Sequence, residues 1–547
     1  MTNILIRDGV LFSGGRLLDA TALAVRDGRI TAVGTEEEAR AAAGPGAAVV
    51  DAAGGLVTPG FADAHVHACF GGVEAARCDL TAAATAQECL DTVRAYADAH
   101  PDTPGGWVLG GGWGMALFSG GTPTRDLLDA VVPDRPVFVI NADHHGAWAN
   151  SRALALAGVD AGTPDPADGR IERDADGVPS GTLHEGAMDL VGRVVPATTT
   201  DECEAGVLAA QEYLLSLGVT AWHEAIVGEY AGYPDLAPAY TALAKAGRLS
   251  ARVSGAVWVP RDLTPDGVDA FVAGLRARRD AGGPGLRLDT AKIMVDGVAE
   301  NRTAALHDPY LSPCTCGGPA ERGLAYFGQD LLEALVPALN AAGIAAHFHA
   351  IGDRAVTMAL DAVRRVAPEH RAGVRNHLAH LQVVDPRDVP RFRELGVTVN
   401  MQALWACAEE QMTELTLPLL GPERARWQYP FGSLAADGAE LAMGSDWPVS
   451  TPDPWQAIHV AVNRRSPGDT ATAPLVEGEA LPLARALEAY TAGSHRLLGF
   501  DDTGLLEAGR AADLCVADRN PFAGPPRDVH LTRNRLTVLD GRIVHGA

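Results

Sequence analysis

Short segments in which hydrophobic and polar residues alternate lie at both ends of the chain. Successive side chains of a strand point to opposite faces, so this pattern predicts strands with one buried face. The dipeptides Asp8-Gly9, Asp27-Gly28 and Asp540-Gly541 separate these segments and favour tight turns. We therefore predict one small β-sandwich domain formed by both termini, from residues 1–58 and 482–547.

The pattern changes from about residue 201 onward. Amphipathic helical stretches alternate with short apolar strands, and polar residues follow the strands, as in IAAHFHAIGD and RNHLAHLQ. Such a series is typical of an α/β protein with a (β/α)8 TIM-like barrel, whose active site lies at the C-terminal ends of the strands. We assign residues 59–67 and 201–481 to the barrel. Residues 68–200 are too many for a plain crossover, so we predict a large insert that covers the barrel mouth.

Composition narrows the range of partners. The 547 residues include 44 Lys+Arg and 69 Asp+Glu, a net charge of −25, whereas nucleic-acid binding needs clustered cations. We therefore expect no nucleic-acid partner. Without a run of about 18 apolar residues or a signal peptide, the sequence predicts no membrane partner and a cytoplasmic location. The eight cysteines are dilute, and the close pair Cys314 and Cys316 is interpreted as free thiols in a surface loop.

Six side chains with metal-binding chemistry follow predicted barrel strands. His65 and His67 are two residues apart, so both can face the barrel interior. The other four end later strands: Lys292, His349, His380 and Asp446. Imidazole and carboxylate groups are favoured ligands of borderline metals such as Zn²⁺. The sequence therefore predicts a metal centre at the C-terminal end of the barrel.

The segments PGFADAHVH, AKIMVDG, HFHAIGD, NHLAHLQ and GSDWP follow one another in this order. Together they resemble the amidohydrolase superfamily, specifically its YtcJ-like branch, amidohydrolase family 3. The resemblance covers essentially the whole chain. It implies that the six residues are metal ligands, and that Lys292 is carboxylated by CO₂ and bridges two metal ions.

Three of these assignments have alternatives. An ion pair between Lys292 and Asp296 would leave a site for a single metal ion. His347 lies on the same strand face as His349 and is the alternative ligand there. We favour His349 because it directly precedes Ala-Ile-Gly-Asp, as the family pattern requires. His377 is the lesser choice for the ligand of the next strand.

The resemblance implies a metal-dependent hydrolase that cleaves an amide-like C–N bond, as in an N-formyl or other N-acyl amine. A metal-activated hydroxide would attack the carbonyl, with Asp446 as general base and then general acid. The expected cofactor is a divalent metal, preferably zinc, with one or two ions per chain. The expected partner is a small-molecule amide-like substrate, and a homodimer is compatible with the sequence. The alternatives are a mononuclear-metal deaminase or cyclic amidase on the same fold and, from another class, a non-catalytic binding relative.

Candidate substrate contacts are spread along the chain. His145 and Glu185 match residues that the family presents toward the site. Trp113 is a candidate for an aromatic wall, and Arg302 is a candidate for holding a substrate carboxylate. Trp447 stands where the family usually has a small residue, which leads to the hypothesis of a compact or flat apolar amide substrate.

Overall fold

The computed structural model describes residues 3–230, 232–282, 286–311 and 321–546. Cys314 and Cys316 lie outside these ranges, so the interpretation of that pair is not tested. The other six cysteines are buried and form no disulfide. Within the same ranges, no helix has both the length and the apolar character that crossing a membrane requires.

Eight parallel strands form one sheet, in which the strands are neighbours in their chain order. They are β1 (Phe61–Val66), β2 (Val219–Val227), β3 (Arg252–Trp258), β4 (Leu286–Met294), β5 (Ala345–Ala350), β6 (His377–His380), β7 (Thr398–Met401) and β8 (Leu441–Met443). The Asp446 amide donates to the His65 carbonyl at 2.7 Å, and the His67 amide donates to the Trp447 carbonyl at 2.8 Å. These bonds join the ends of β1 and β8, so the sheet is a nearly closed barrel, as predicted.

Two details of the barrel differ from the sequence pattern. The barrel is predicted to begin at residue 59, but Leu56–Pro59 pairs with a strand from the C-terminal region, so only β1, which follows Gly60, enters the barrel. A side chain at Gly60 would collide with the Thr220 side chain. The pattern also misses β3, whose segment RVSGAVW ends in tryptophan instead of a polar residue.

Helices connect and surround the barrel strands. The longer ones are Thr200–Ser216, Ala237–Lys245, Val268–Ala281, Gln329–Ala341, Asp353–Arg364, Leu417–Ala425 and Pro454–Asn463, and the shorter ones are Ala68–Glu74, Pro368–Arg371, Val389–Leu395, Phe431–Asp437, Leu483–Glu488 and Ser494–Leu497. Alternation along β5 turns Phe348 outward into the apolar cluster that includes Leu360 of a surrounding helix. The same alternation turns His347 and His349 into the barrel.

Between β1 and β2 the chain forms a separate six-stranded sheet. Its strands, in spatial order, are Gly169–Arg173, Pro179–Glu185, Gly146–Ala149, Val137–Asn141, Val108–Trp113 and Cys78–Asp79. The helices of this region are Ala86–Ala99, Arg125–Val131, Ser151–Ala157 and Met188–Gly192. Trp113 and Trp148 are fully buried in an apolar cluster of this region, which therefore has its own core.

Strands from both chain ends form two further sheets. The first contains Arg29–Gly34, Ala22–Arg26, Ile4–Arg7 and Ala48–Asp51, with the helix Glu36–Ala43 beside it. The second contains Arg542–His545, Asn534–Leu539, Leu514–Ala517, Leu56–Pro59, Val10–Ser13 and Arg16–Leu17. Ile4 and Val25 of the first sheet share an apolar cluster with Leu514 and Val538 of the second. Residues far apart in sequence thus build one core.

Two of the three Asp-Gly pairs form tight hairpins. Asp27 and Gly28 have φ of 51° and 78°, and Asp540 and Gly541 have φ of 45° and 70°. Positive φ at both central residues is the geometry of a type I′ turn, whose twist matches that of the flanking antiparallel strands. Asp8-Gly9 instead connects two strands that belong to different sheets.

Candidate metal centre and substrate cavity

The six predicted ligands all lie at the C-terminal end of the barrel. Four belong to strands, namely His65 in β1, Lys292 in β4, His349 in β5 and His380 in β6, and two follow strands, namely His67 after β1 and Asp446 after β8. Parallel strands bring their carboxyl ends to one edge of a sheet, which explains how residues distant in sequence meet.

Asp446 lies at the centre of the cluster. Its Oδ1 is 3.2 Å from His65 Nε2 and 3.1 Å from His67 Nε2. Its Oδ2 is 3.9 Å from His380 Nδ1. One ligand atom from each of His65, His380 and Asp446 lies within 4.8 Å of the other two. Three donors at this separation can close around one ion, since zinc–ligand distances are about 2.0–2.2 Å.

Lys292 and His349 border this cluster. Lys292 Nζ lies 3.5 Å from His65 Nε2. His349 Nδ1 lies 3.3 Å from Asp296 Oδ1, and its ring centroid is 4.4 Å from that of His380. Asp296 also accepts three backbone amides at 2.9–3.0 Å. This carboxylate therefore orients His349 and the loop after β5, and the suggested pairing with Lys292 is not the arrangement in the structure.

The protonation states at the site suit metal binding. Burial and the charge of Lys292 lower the pKa of His65 to about 3, and burial lowers the pKa of His67. Burial raises the pKa of Asp446, but His65 and His67 outweigh that effect and hold the pKa well below its ordinary value. Neutral imidazoles beside an ionised carboxylate are the forms in which these groups ligate metals.

Several buried polar atoms of the cluster have no hydrogen-bond partner within the described ranges. They are Nδ1 of His67, both ring nitrogens of His380 and Oδ1 of Asp446. Asp446 Oδ1 lies within 3.2 Å of the Nε2 atoms of His65 and His67, but the angles at these contacts are not those of hydrogen bonds. An unsatisfied buried polar atom costs about 1–3 kcal/mol, so a bound group that satisfies these atoms would stabilise the cluster. The residues present fit a divalent cation.

Backbone strain accompanies two of these side chains. His380 has φ of 78° and Asp446 has φ of 57°, a conformation that costs a non-glycine residue about 1–2 kcal/mol. Gln402 accepts the His380 amide at 2.7 Å, and the His65 carbonyl accepts the Asp446 amide. Such strain persists where the surroundings impose it, and it concentrates at functional sites.

A cavity of about 380 Å³ opens beside the cluster. Small-molecule sites span about 300–1,000 Å³, so its volume suits a small substrate. His349 and Asp446 line it together with residues that the sequence did not single out, among them Glu300, Gln382, Cys407, Met412 and Tyr429. Of these residues, only Gln382 could have been identified as a candidate from the sequence, because it is a polar residue that follows the strand β6 in the segment NHLAHLQ.

His145 reaches this cavity from the segment between β1 and β2, whereas Glu185 contacts His145 and does not itself line the cavity. His145 lines the cavity, and its Nδ1 lies 2.8 Å from Glu185 Oε1, which also accepts Thr303 Oγ1 at 2.9 Å. Burial lowers the pKa of His145, but the Glu185 carboxylate outweighs burial and raises the pKa to about 9. Burial raises the pKa of Glu185, whereas His145 lowers it to about 2. The pair is therefore an imidazolium and a carboxylate at neutral pH.

Trp113 and Arg302 do not reach the cavity. Trp113 is fully buried, and its Nε1 donates to the Val139 carbonyl at 3.0 Å, so it supports the six-stranded sheet rather than a substrate. Arg302 is about one-third exposed and pairs with Glu321 at 3.5 Å. Solvent and this partner satisfy the guanidinium, and Arg302 is not among the residues that line the cavity.

Trp447 also faces away from the cavity. Its ring packs on Gly71, where a Cβ would come within 2.7 Å of the indole, and its centroid is 5.6 Å from that of Tyr213. Large apolar rings gain most from such packing. The ring therefore gives no bulk beside Asp446, and the structure gives no support to a compact or flat substrate on this ground.

Similar sequences extend over almost the whole chain. The profile of the amidohydrolase family matches residues 48–545. The chain belongs to the amidohydrolase family. This amidohydrolase is 28% identical over 529 residues to the putative amidohydrolase YtcJ of Bacillus subtilis, covering 96% of each chain. It is 29% identical over 561 residues to N-substituted formamide deformylase of Arthrobacter pascens, covering 95% of this chain and 94% of that one.

A solved structure shows the same architecture. An uncharacterized metal-dependent hydrolase from Pyrococcus horikoshii superposes with a TM-score of 0.73 and 26% sequence identity, and the match covers 100% of both chains. The predictions of a family resemblance and of an enzyme that hydrolyses carbon–nitrogen bonds are therefore confirmed. Metal dependence agrees with the His and Asp cluster in the barrel.

Proposed function

We propose that this amidohydrolase cleaves the amide-like C–N bond of an N-formyl or other N-acyl amine. The observation that carries the proposal is the contact of Asp446 with His65 and His67 beside a cavity of about 380 Å³. The similarity to a protein named N-substituted formamide deformylase supports the substrate class. The acyl group would lie at the cluster, and the amine substituent would lie in the cavity near Trp405, which stacks on His380 at 5.2 Å.

The proposed cofactor is zinc, one or two ions per chain, held by the six clustered residues. A bound divalent cation lowers the pKa of water to about 7 and polarises a carbonyl oxygen. Zinc suits a donor set of imidazoles and a carboxylate. His65, His380 and Asp446 alone offer three ligand atoms, which would suffice for the mononuclear alternative, a deaminase or cyclic amidase.

Carboxylation of Lys292 would distinguish a two-metal site from a one-metal site. Burial lowers the pKa of Lys292 to about 8, so part of the amine is neutral and able to attack CO₂. The neutral amine forms an N–C bond with CO₂ and loses one proton to give a carbamate anion. Counting the proton that the ammonium loses first, two protons leave, and a costly buried ammonium is replaced by an anion. Native mass spectrometry should then show about 44 Da of extra mass.

Asp446 is the proposed proton carrier. It is ionised and 5% exposed, and it lies at the edge of the cavity. In hydrolysis of an amide, the attacking water loses a proton and the departing nitrogen gains one. A single carboxylate that faces both can accept the first proton and return it, acting as general base and then as general acid.

His145 is the proposed donor to the developing negative charge on the substrate oxygen. Its Nδ1 is engaged by Glu185, so Nε2 is the nitrogen available to the cavity. A positive charge fixed before the reaction stabilises an oxyanion without reorganisation, and loss of one such donor costs about 10²–10³ in kcat.

Replacing Glu185 with glutamine should lower the pKa of His145 from about 9 to below its ordinary 6.5, since burial then becomes the dominant effect. His145 would be neutral at pH 7 and lose its charge. We expect the alkaline limb of the kcat/KM profile to move to the acid side of neutrality. The control is Glu172→Gln, which removes the carboxylate 3.1 Å from another buried histidine, His184, outside the cavity. An unshifted profile in Glu185→Gln would exclude the proposed role of His145.

A substrate panel tests the proposed function. Zinc-loaded protein is incubated with N-formyl amines, N-acetyl amines, cyclic amides and amino-substituted heterocycles, and the release of amine, acid and ammonia is measured. We expect amine and acid from the N-acyl amines only. Ammonia from the heterocycles without acyl hydrolysis would establish the deaminase alternative. Tight binding of panel members without turnover would favour the non-catalytic relative. An Asp446→Asn preparation made in parallel controls for contaminating hydrolases.

A further inference from the structure

We propose that His223, His347 and His377 form a second metal site for a borderline divalent cation such as Zn²⁺. This site lies deeper in the barrel than the strand-end cluster, by which we mean the group of His65, His380 and Asp446 described above. The three belong to β2, β5 and β6. His347 precedes His349 by two residues, which places it about 6–7 Å nearer the N-terminal end of the barrel. The strand-end cluster and this deeper cluster are thus two separate groups of donors.

The three rings converge inside the barrel. His347 and His377 are partners in the register of β5 and β6, with ring centroids 4.3 Å apart. The His223 centroid lies 5.2 Å from that of His347 and 5.8 Å from that of His377. None of the three is more than 2% exposed, and one ligand atom from each lies within 4.8 Å of the others. The spacing therefore matches that of the strand-end cluster.

Each ring has one nitrogen that is unsatisfied within the described residues. These atoms are Nε2 of His223, Nδ1 of His347 and Nε2 of His377. A hydrogen bond between two of the rings would need a nitrogen–nitrogen distance near 3 Å and a suitable angle, and no such bond joins them. Leaving three buried polar atoms unpaired would cost about 1–3 kcal/mol each, so a group that binds these atoms would stabilise the barrel interior.

The outer nitrogens are held as those of metal-bound imidazoles are. His223 Nδ1 lies 2.7 Å from Ser254 Oγ, and His377 Nδ1 lies 3.0 Å from the Arg375 carbonyl. A carbonyl only accepts, so His377 Nδ1 carries the hydrogen and Nε2 keeps its lone pair. Metal-ligating histidines almost always donate their other N–H to such a group. Three imidazoles with an open fourth position are a known zinc donor set.

A hydrogen bond connects the two sites. His347 Nε2 lies 2.9 Å from His65 Nδ1, and one proton lies between them. If His65 ligates a metal ion through Nε2, its Nδ1 carries that proton and donates it to His347 Nε2. A neutral His347 then has its own hydrogen on Nδ1, so this nitrogen cannot bind a metal ion. Binding in the deeper site requires the opposite tautomers. The two sites therefore compete, and the deeper one is filled when the strand-end site is weakened.

The test uses the variant His67→Ala/Asp446→Asn, which removes two strand-end ligands and keeps His65. Crystals grown with zinc are measured at the zinc absorption edge, and zinc affinity is determined in solution with a competing chelator. We expect an anomalous peak about 2.0–2.1 Å from the three unsatisfied nitrogens. Adding His223→Leu should remove this peak and weaken the zinc affinity at least tenfold.

The matched control adds His495→Leu instead. His495 is equally buried, but both of its nitrogens have partners, the Gly60 carbonyl at 3.0 Å and Thr503 Oγ1 at 2.6 Å. Absence of an anomalous peak between the three rings at saturating zinc overturns the proposal, as does a peak that His223→Leu leaves unchanged. If His223→Leu does not fold, the peak position in the parent variant decides. Hydrolysis is not measured, so this outcome is separate from that of the proposed function.

Discussion

Replacing Asp446 with asparagine is expected to lower kcat by about 10³-fold, within the 10²–10⁴-fold range of general acid–base catalysis. Asparagine has nearly the same shape and offers an oxygen as a weak ligand, but it cannot accept and return a proton. It also tolerates the left-handed backbone conformation that Asp446 adopts at φ of 57°. The variant should therefore fold and retain part of its metal.

The measurement is kcat on the best N-acyl amine at saturating zinc, with zinc content and thermal stability determined on the same sample. Asp453→Asn is the matched control, because Asp453 is also buried, follows β8, and caps a helix by accepting the Trp455 amide at 3.0 Å. Asparagine caps a helix as well as aspartate does, so this control should keep its kcat. Near-normal turnover in metal-loaded Asp446→Asn would remove Asp446 from the proton-transfer role.

The barrel could be predicted because its signal is repeated. Six segments of the sequence show a helix followed by an apolar strand with polar residues at its end, and each corresponds to a strand of the sheet. The strand β3 ends in Trp258 instead of a polar residue, so its local sequence does not show the pattern of the other strands. The boundaries proposed for the terminal domain and for the insert stay predictions.

The positions of the candidate ligands could be predicted for a related reason. A strand fixes the direction of its side chains, so a histidine at a strand end, such as His349, is placed by the backbone pattern alone. Trp113, Arg302 and Trp447 could not be placed in this way, because their orientation depends on segments that fold against one another from distant parts of the chain. Trp447 illustrates the point, since the absence of a side chain at Gly71 decides where its ring lies.

The deeper histidines show where a sequence pattern is ambiguous. In the segment VTAWHEA, Trp222 and His223 are adjacent, and only the alternation of faces decides which one enters the barrel. Trp222 turns outward and donates to Tyr240 at 3.3 Å, whereas His223 turns inward. Without the neighbouring strands, nothing in the sequence indicates that His347 and His377 lie beside it. A buried polar cluster of this kind becomes apparent only when all three strands are in place.

Replacing both His65 and His67 with alanine is expected to remove the strand-end metal centre and to lower kcat/KM by at least about 10³-fold. Metal activation is worth several kcal/mol in the transition state, and each 1.4 kcal/mol is about tenfold in rate. Zinc content, kcat/KM and melting temperature are measured with and without chelator. His495→Ala is the control, because it also removes a buried imidazole but lies outside both clusters.

The melting temperatures separate loss of metal from loss of fold. An ion present at about 1,000 times its Kd stabilises the folded state by about 4 kcal/mol, so chelation should lower the melting temperature of the wild-type protein and of His495→Ala. The double variant should melt at the lower temperature already. Full activity in a double variant that melts cooperatively would refute the assignment of His65 and His67. An inactive double variant that still holds one zinc ion would direct attention to His223 and His377, which this substitution leaves in place.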